Sequence, residues 1–308
     1  MKPEKFAEWF LIQGYNVIKT ESSFWVEIVP FFYQAIPYNW VIEPDDKELD
    51  ILFRKTRAIG LRYSTTIAAK EGYISYHVVY DSPIYSLENL PKKARYDVRK
   101  GLKSCRIQKI SFDRMAREGW KLREETLNRQ GRIGAENYKK WEKLCLSAKI
   151  IGEIEAWGAI IDDKLVASLI AVDINECSLI LYQQSLSNYL QLGVNNALVY
   201  TFIEDALKRP DIKSIFYGLH SLDAPESVDE FKFRMNFRPK MVKQRIVFRV
   251  GLRPFVNRYI LNMLKFLKNN IINLNGLSKF EGICRFYLEG KKPTEFQLWP
   301  KPLLKLKG

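Results

Sequence analysis

Cysteine and histidine are scarce in this chain of 308 residues. Its four cysteines, Cys105, Cys145, Cys177 and Cys284, stand far apart with no C-x-x-C pair, and its two histidines, His77 and His220, are isolated. That spacing argues against a Cys/His zinc site, so no metal is expected and the thiols read as reduced and mostly buried. Long apolar runs are also missing. None approaches the roughly 18 to 20 residues that cross a bilayer. The opening Met1-Lys2-Pro3-Glu4-Lys5 leads into an amphipathic segment without a signal-peptide pattern, so a cytoplasmic location is expected. What is plentiful is apolar and basic: 47% hydrophobic and 13% aromatic residues with a net charge of +14. This is enough to bury one large core or two ordinary ones.

The positive charge is concentrated. From Gly251 to Gly308 there are eleven Lys and Arg against three Glu, and from Leu90 to Lys109 eight against one Asp. A polyanionic partner fits such segments: nucleic acid, an acidic membrane face or a phosphate-rich cofactor. A merely soluble basic surface fits them as well.

Along the chain, Phe6, Trp9, Phe10 and Leu11 are spaced as an amphipathic helix over Pro3 to Gln13, and Gly14 is a natural stop. Tyr15 to Ile36 is aromatic and β-branched and predicts strands and a hairpin, with Pro30 at a bend. Asp45 to Ile59 predicts a helix with acids in its first turn and Gly60 after it, and Gly72 to Tyr80 a strand. His77, inside that apolar strand, reads as a satisfied structural histidine. Leu87 to Ser104 predicts a helix with Pro91 in its first turn; Arg95, Arg99 and Lys103 fall at i, i+4 and i+8 and share a face. They make either a solvated basic helix or a set of cations offered to a phosphate. One or two helices follow from Asp113 to Ala148, broken near Arg129 to Gly134.

Gly152 to Leu186 reads as an antiparallel meander. Its segments, Gly152 to Ile161, Leu165 to Val172 and Ser178 to Tyr182, are separated by two turn-like stretches. Val194 to Lys208 places Val194, Ala197, Leu198, Phe202 and Ala206 on one helical stripe, and Lys213 to Leu219 returns as a strand, which completes a βαβ unit. Gly193 sits just before that helix, where backbone N–H groups and the positive dipole end can hold an anion. A short helix follows, then a strand from Lys240 to Val250. Gly251 to Leu274 predicts a basic amphipathic helix with Phe255, Ile260, Met263, Leu264, Leu267 and Ile271 apolar; it either caps the core or lies on a membrane. Both halves share a helix-then-strands plan, so a duplicated domain is expected.

The segments L-P-K-K-A-R-Y-D-V-R-K-G-L-K, Y-Q-Q-S with G-V-N-N-A-L, and D-E-F-K-F-R-M-N-F-R-P resemble the FemAB-like branch of the GNAT acyltransferase superfamily. The likeness covers residues 87–250 and implies an α/β (α+β) fold. In it a GNAT-like mixed sheet is flanked by helices, in two tandem domains of which the first, 1–86, is degenerate, with a basic helix and irregular tail over 251–308. It also implies transfer of an acyl group from acyl-CoA, as cosubstrate, to an amine, or of an aminoacyl group from charged tRNA. A non-catalytic protein that binds nucleic acid or an anionic membrane is a third reading. Carried over residue by residue, the donor would meet Tyr182, Gln183, Gln184, Gly193, Val194, Asn195 and Asn196. Arg95, Arg99 and Lys103 would face the substrate, and Lys232 matches the lysine of F-K-x-x-[FM], associated with substrate phosphate or carbonyl contact. The family's [RQ]-x-x-G-x-[GA] loop is altered here: Leu190 stands at the Arg/Gln position and Asn195 at the small one. Amine attack also needs a proton acceptor. His220 ranks first because an imidazole titrates near neutrality, followed by Asp223 and Tyr217.

Overall fold

The computed structural model describes residues 1–132, 136–222, 226–270 and 275–304. In chain order the elements are α1 (Pro3–Ile12), β1 (Val17–Lys19), β2 (Phe24–Val29), β3 (Phe32–Ile36), α2 (Asp46–Lys55), β4 (Gly60–Thr65), β5 (Tyr73–Tyr80), α3 (Lys92–Ser104), β6 (Arg106–Ile110), α4 (Phe112–Arg129), α5 (Tyr138–Ile151), β7 (Ile154–Ile161), β8 (Lys164–Ile174), β9 (Cys177–Ser185), α6 (Val194–Leu207), β10 (Ser214–Leu219), α7 (Glu226–Arg234), β11 (Arg238–Phe248), α8 (Arg258–Asn270) and α9 (Asn275–Gly290). The fold is mixed α/β, as the sequence leads one to expect. It divides into two compact units. The first comprises Met1–Trp9, Val78–Gly218 and Ala224–Arg238, the second Phe10–His77, Leu219–Asp223 and Pro239–Gly308.

In the first unit the strands lie in the order β10-β9-β8-β7-β6. β7, β8 and β9 form the antiparallel meander, and β10 returns parallel to β9 through the crossover helix α6. Local chemistry sets the helix limits. Ser111 caps α4 by accepting from the Arg114 N–H, and Asn137 caps α5 by accepting from the Lys140 N–H. Gly152 then ends α5 in the left-handed region at φ 74°, which a residue with a Cβ adopts at a cost. Val194, Leu198 and Phe202 are fully buried along α6, each worth roughly 2 kcal/mol of apolar burial. Phe202 meets Trp157 of β7 edge-on at 5.9 Å.

In the second unit β1, β2 and β3 form antiparallel hairpins, β4 joins β3 in parallel, and β11 pairs antiparallel with β4 from Lys243↔Thr65 to Phe248↔Gly60. Two apolar clusters hold it. One gathers Trp25, Leu52, Leu61 and Tyr63, and the other Phe32, Tyr73, Phe248, Phe286 and Tyr287.

Several elements depart from the sequence expectations; the helix expected from Gly251 begins only at Arg258, after a 3-10 turn over Val250–Phe255. The helix expected from Asp45 ends at Lys55, not Ile59: the Thr56 hydroxyl donates to the Leu52 carbonyl and accepts from the Ala58 N–H, which turns the chain out. Gly60 therefore opens β4, whose Leu61 and Tyr63 are core residues. The basic stretch after α3 supplies an unanticipated edge strand, β6, and 275–290 forms a further helix, α9, ahead of the proline-bearing tail. The division of the chain also differs from contiguous segments 1–86, 87–250 and 251–308. β11 is tied to β4 by its ladder, and Phe286 and Tyr287 of α9 pack with Tyr73 and Phe248.

Candidate functional site

The parallel ladder between β9 and β10 covers only Cys177–Leu179 against Ser214–Phe216. Beyond it, among the described residues, β9 runs to Ser185 and β10 to Leu219 without pairing to each other. The strands splay, and one edge of β9 from Ile180 onward is free of the β10 ladder. Backbone N–H groups on such an edge seek acceptors. Tyr182, Gln183 and Gln184 lie on this part of β9.

Their side chains have different surroundings. The Tyr182 ring sits 5.0 Å from the Arg123 guanidinium and 6.4 Å from Trp141. Gln184 is buried and donates to the Ser168 hydroxyl at 2.9 Å. Both are built into the packing against α4 and α5. The Gln183 amide nitrogen is buried without a hydrogen-bond partner, so Gln183 is the one of the three with donor capacity left over.

On the β10 side stands Lys232. The segment F-K-F-R-M-N-F is pinned at its end: Met235 and Phe237 are buried, Phe237 packs edge-on against Tyr217 at 5.1 Å, and the Tyr85 hydroxyl donates to the Met235 carbonyl at 2.8 Å. This anchoring turns Lys232 inward, where it is 9% exposed. Its ammonium donates to the Asp229 carboxylate at 2.8 Å, and Asp229 is itself 9% exposed. The same nitrogen lies 5.2 Å from the Tyr217 ring centroid and 3.6 Å from where a side chain on Gly218 would begin. Gly218 has φ 121°, a conformation open to glycine alone in practice. The lysine thus reaches the end of β10, beside the start of the splay. Tyr217 is buried, and burial, followed by the neighbouring Tyr85, pushes its pKa well above the ordinary phenol value. At neutral pH it keeps its proton and suits donation better than acceptance.

The turn before α6 is differently made. Gly193 has φ 77°, and a Cβ there would overlap the Asp97 carbonyl oxygen of α3; one on Gly101 would overlap the Gly193 carbonyl oxygen. The two glycines let α3 and the start of α6 touch backbone to backbone. The Gly193 N–H donates to the Leu190 carbonyl, Val194 is fully buried, Asn195 donates to the Ser185 hydroxyl at 3.0 Å, and Asn196 points at the Met235 sulfur at 3.3 Å. The side of the turn that a Cβ on Gly193 would face is taken by the backbone of α3.

The basic face of α3 is divided. Arg95 folds back to donate to the Glu88 and Leu90 carbonyls, while Arg99 and Lys103 are exposed. His220 belongs to the second unit, where its Nδ1 lies 3.1 Å from the Ser75 hydroxyl and its ring stacks on Tyr76 at 4.6 Å. Asp223 lies outside the described residues. His77 is buried with its Nε2 2.8 Å from the Ser64 hydroxyl; burial first, then Lys240 and Arg62, lower its pKa to about 3. It stays neutral and structural.

Sequence reasoning missed Asp229 and Gly218. Asp229 precedes Lys232 by three residues, the spacing that faces two side chains on one helix, so the pair was readable in the quoted D-E-F-K. The break near Arg129 to Gly134 reads from sequence as a substrate loop or a plain helix–helix turn; Arg129 itself donates to the Ser185 carbonyl and to the hydroxyls of Ser185, Ser187 and Thr126, while 133–134 lie outside the described residues. Among the described residues no cluster of His, Cys, Asp and Glu could hold a metal ion. Three of the four thiols are buried, and burial raises Cys105 to about 11 and Cys284, with Glu281, to about 12.

No protein-family model matches the sequence, and no curated protein does. Solved structures do resemble the fold. FemX is 10% identical, with a TM-score of 0.55 over 81% of this chain and 92% of that one. The C-terminal domain of a putative lysylphosphatidylglycerol synthetase from Agrobacterium fabrum is 11% identical, with a TM-score of 0.51 over 84% and 95%. L-PGS from Bacillus licheniformis is 9% identical, with a TM-score of 0.50 over 88% and 96%. At 9–11% identity these likenesses concern the fold: a mixed sheet flanked by helices, shared with FemX and the other two structures.

Proposed function

We propose that the first unit transfers an acyl or aminoacyl group to an amine, with the donor carbonyl held in the splay between β9 and β10. The observation that carries this reading is the opening of that splay beside a buried lysine: Lys232 reaches Gly218 just past the last ladder pair, Phe216↔Leu179. Attack of a neutral amine on the carbonyl forms the N–C bond and places negative charge on oxygen. Backbone N–H groups on the free edge of β9 stabilise that oxyanion. Collapse breaks the bond to the leaving oxygen or sulfur, the amine gives its proton to a base, and the leaving group receives one. An ammonium has three N–H donors. Lys232 gives one to Asp229 and is proposed to offer another to the donor's phosphate or carbonyl.

Of the two donors, the crowded turn at Gly193 favours charged tRNA. Acyl-CoA in a GNAT-type site needs that turn to cradle its pyrophosphate, and here α3 packs against it. The exposed Arg99 and Lys103 suit a tRNA backbone. A cytoplasmic location is part of this proposal. The test offers the full chain charged tRNA and a panel of acyl-CoA thioesters in parallel, each with small primary amines. Amine-dependent loss of charged tRNA, without thiol release, is expected. Thiol release would overturn the donor assignment and keep the reaction class; neither activity would overturn both.

A further inference from the structure

Helix α8 carries apolar residues on two sides. One side is packed: Leu261 and Leu264, with Ile260 beside them, form a cluster with Cys284, Leu277 and Phe280 of α9. The other side faces solvent. Tyr259, Met263 and Phe266 are 86%, 49% and 65% exposed, and their i, i+4, i+7 spacing makes one continuous stripe. The turn before the helix adds Val250 and Phe255, also well exposed. Cations accompany the stripe, with Arg253, Arg258 and Lys265 all exposed. Between Glu230 and Glu281 the sequence contains no aspartate or glutamate.

We propose that this face of α8, with the turn that precedes it, docks on an anionic lipid bilayer, the apolar stripe at the headgroup boundary and the cations against lipid phosphates. The charge pattern selects the occupant. A second copy of the chain would bring the same cations and no acids to this face, so pairing would be repulsive. A nucleic acid would satisfy the cations but leave Met263 and Val250 without a matching apolar surface. An anionic bilayer satisfies both. No described helix is long and apolar enough to cross a membrane, so the mode is a helix lying along the surface. This inference stands independently of the acyl-transfer reading.

The test is co-sedimentation of the full chain with vesicles of phosphatidylcholine alone or mixed with about one third phosphatidylglycerol. Binding to the mixed vesicles is expected, weakening with salt and negligible on phosphatidylcholine alone. The triple substitution Tyr259→Ser, Met263→Ser, Phe266→Ser should lower partitioning at least ~10-fold while leaving the melting transition unchanged, because these side chains are exposed. The set Arg253→Glu, Arg258→Glu, Lys265→Glu should lower it roughly 100-fold, at about fivefold or more per cation. No sedimentation with the mixed vesicles would overturn the proposal. So would triple-serine protein that binds them like wild type, or a chain that binds tRNA through this stripe and leaves the vesicles alone.

Discussion

Two places in the first unit present themselves as anion-facing, the Gly193 turn at the start of α6 and the Lys232 end of α7, and the structure builds them in opposite ways. At Gly193 the absent side chain admits the backbone of α3: Asp97 and Gly101 lie where a Cβ would stand. At Lys232 the ammonium is held by Asp229 beside the splayed strands, next to Gly218, which its own φ of 121° requires to be glycine. One glycine is required by a backbone contact and the other by its own backbone angle. A glycine before a helix therefore reports a close approach without saying what approaches.

The largest expected effects break this comparison at the first place. Gly101→Val puts a side chain into the Gly193 carbonyl, with backbone on both sides and no flexible neighbour to yield. It should cost ~4 kcal/mol or more, or leave no folded protein. Gly193→Ala adds left-handed strain to a similar clash and should cost at least ~3 kcal/mol. Chemical denaturation measures both. A Gly193→Ala protein as stable as wild type would return the turn to the list of ligand sites.

At the second place, Lys232→Met removes the cation and leaves Asp229 largely buried without it, which should cost about 3 kcal/mol. The double variant Lys232→Met, Asp229→Leu should recover most of that stability, since no lone charge remains. If the two single costs simply add in the double variant, the pair is not coupled and the site loses its electrostatic basis.

Next comes pH. The folded pKa of His77, about 3, lies below its unfolded value of about 6.5. Between those values the unfolded chain binds the extra proton, so the stability is present above about 6.5 and is lost as pH falls towards 3. From pH 7 to pH 5 this amounts to about 2 kcal/mol. His77→Gln should flatten that part of the stability–pH curve by about one proton, and an unchanged slope would show that His77 titrates freely. The smallest effects separate the cations of α3. Arg95→Ala removes two hydrogen bonds to carbonyls and should cost about 1 kcal/mol. Arg99→Ala and Lys103→Ala should stay within about 0.5 kcal/mol in a thermal melt.

The meander and the βαβ crossover were legible because their patterns are plain: nearly continuous apolar runs in 154–174 broken by the turn-like Asp162-Asp163-Lys164, and the stripe Val194, Ala197, Leu198, Phe202. The limit at Lys55 was not, since it depends on hydrogen bonds made by one threonine hydroxyl. Strand β6 was hidden because Arg106 and Lys109 suit an edge with solvent on one side as readily as a loop. α8 misled in another way. Met263 shares the helical pattern with Ile260 and Leu264, yet it faces outward while those two lie inward or at the margin, and Phe255 falls in the turn before the helix. Periodicity counts apolar residues; it does not say which face has a neighbour. At the candidate site, Lys232 was found from its motif, but its neighbours Tyr217 and Gly218 arrive from another element.

The central claim is that the donor carbonyl is handled at the Lys232 end of the splay. Single-turnover transfer from charged tRNA to an amine, comparing wild type with Lys232→Gln at matched folded fraction, tests it most directly. Wild type should consume the charged tRNA, and the variant should do so at least ~100-fold more slowly. A variant that transfers at the wild-type rate, or a wild type that spares charged tRNA while releasing thiol from acyl-CoA, would contradict the account.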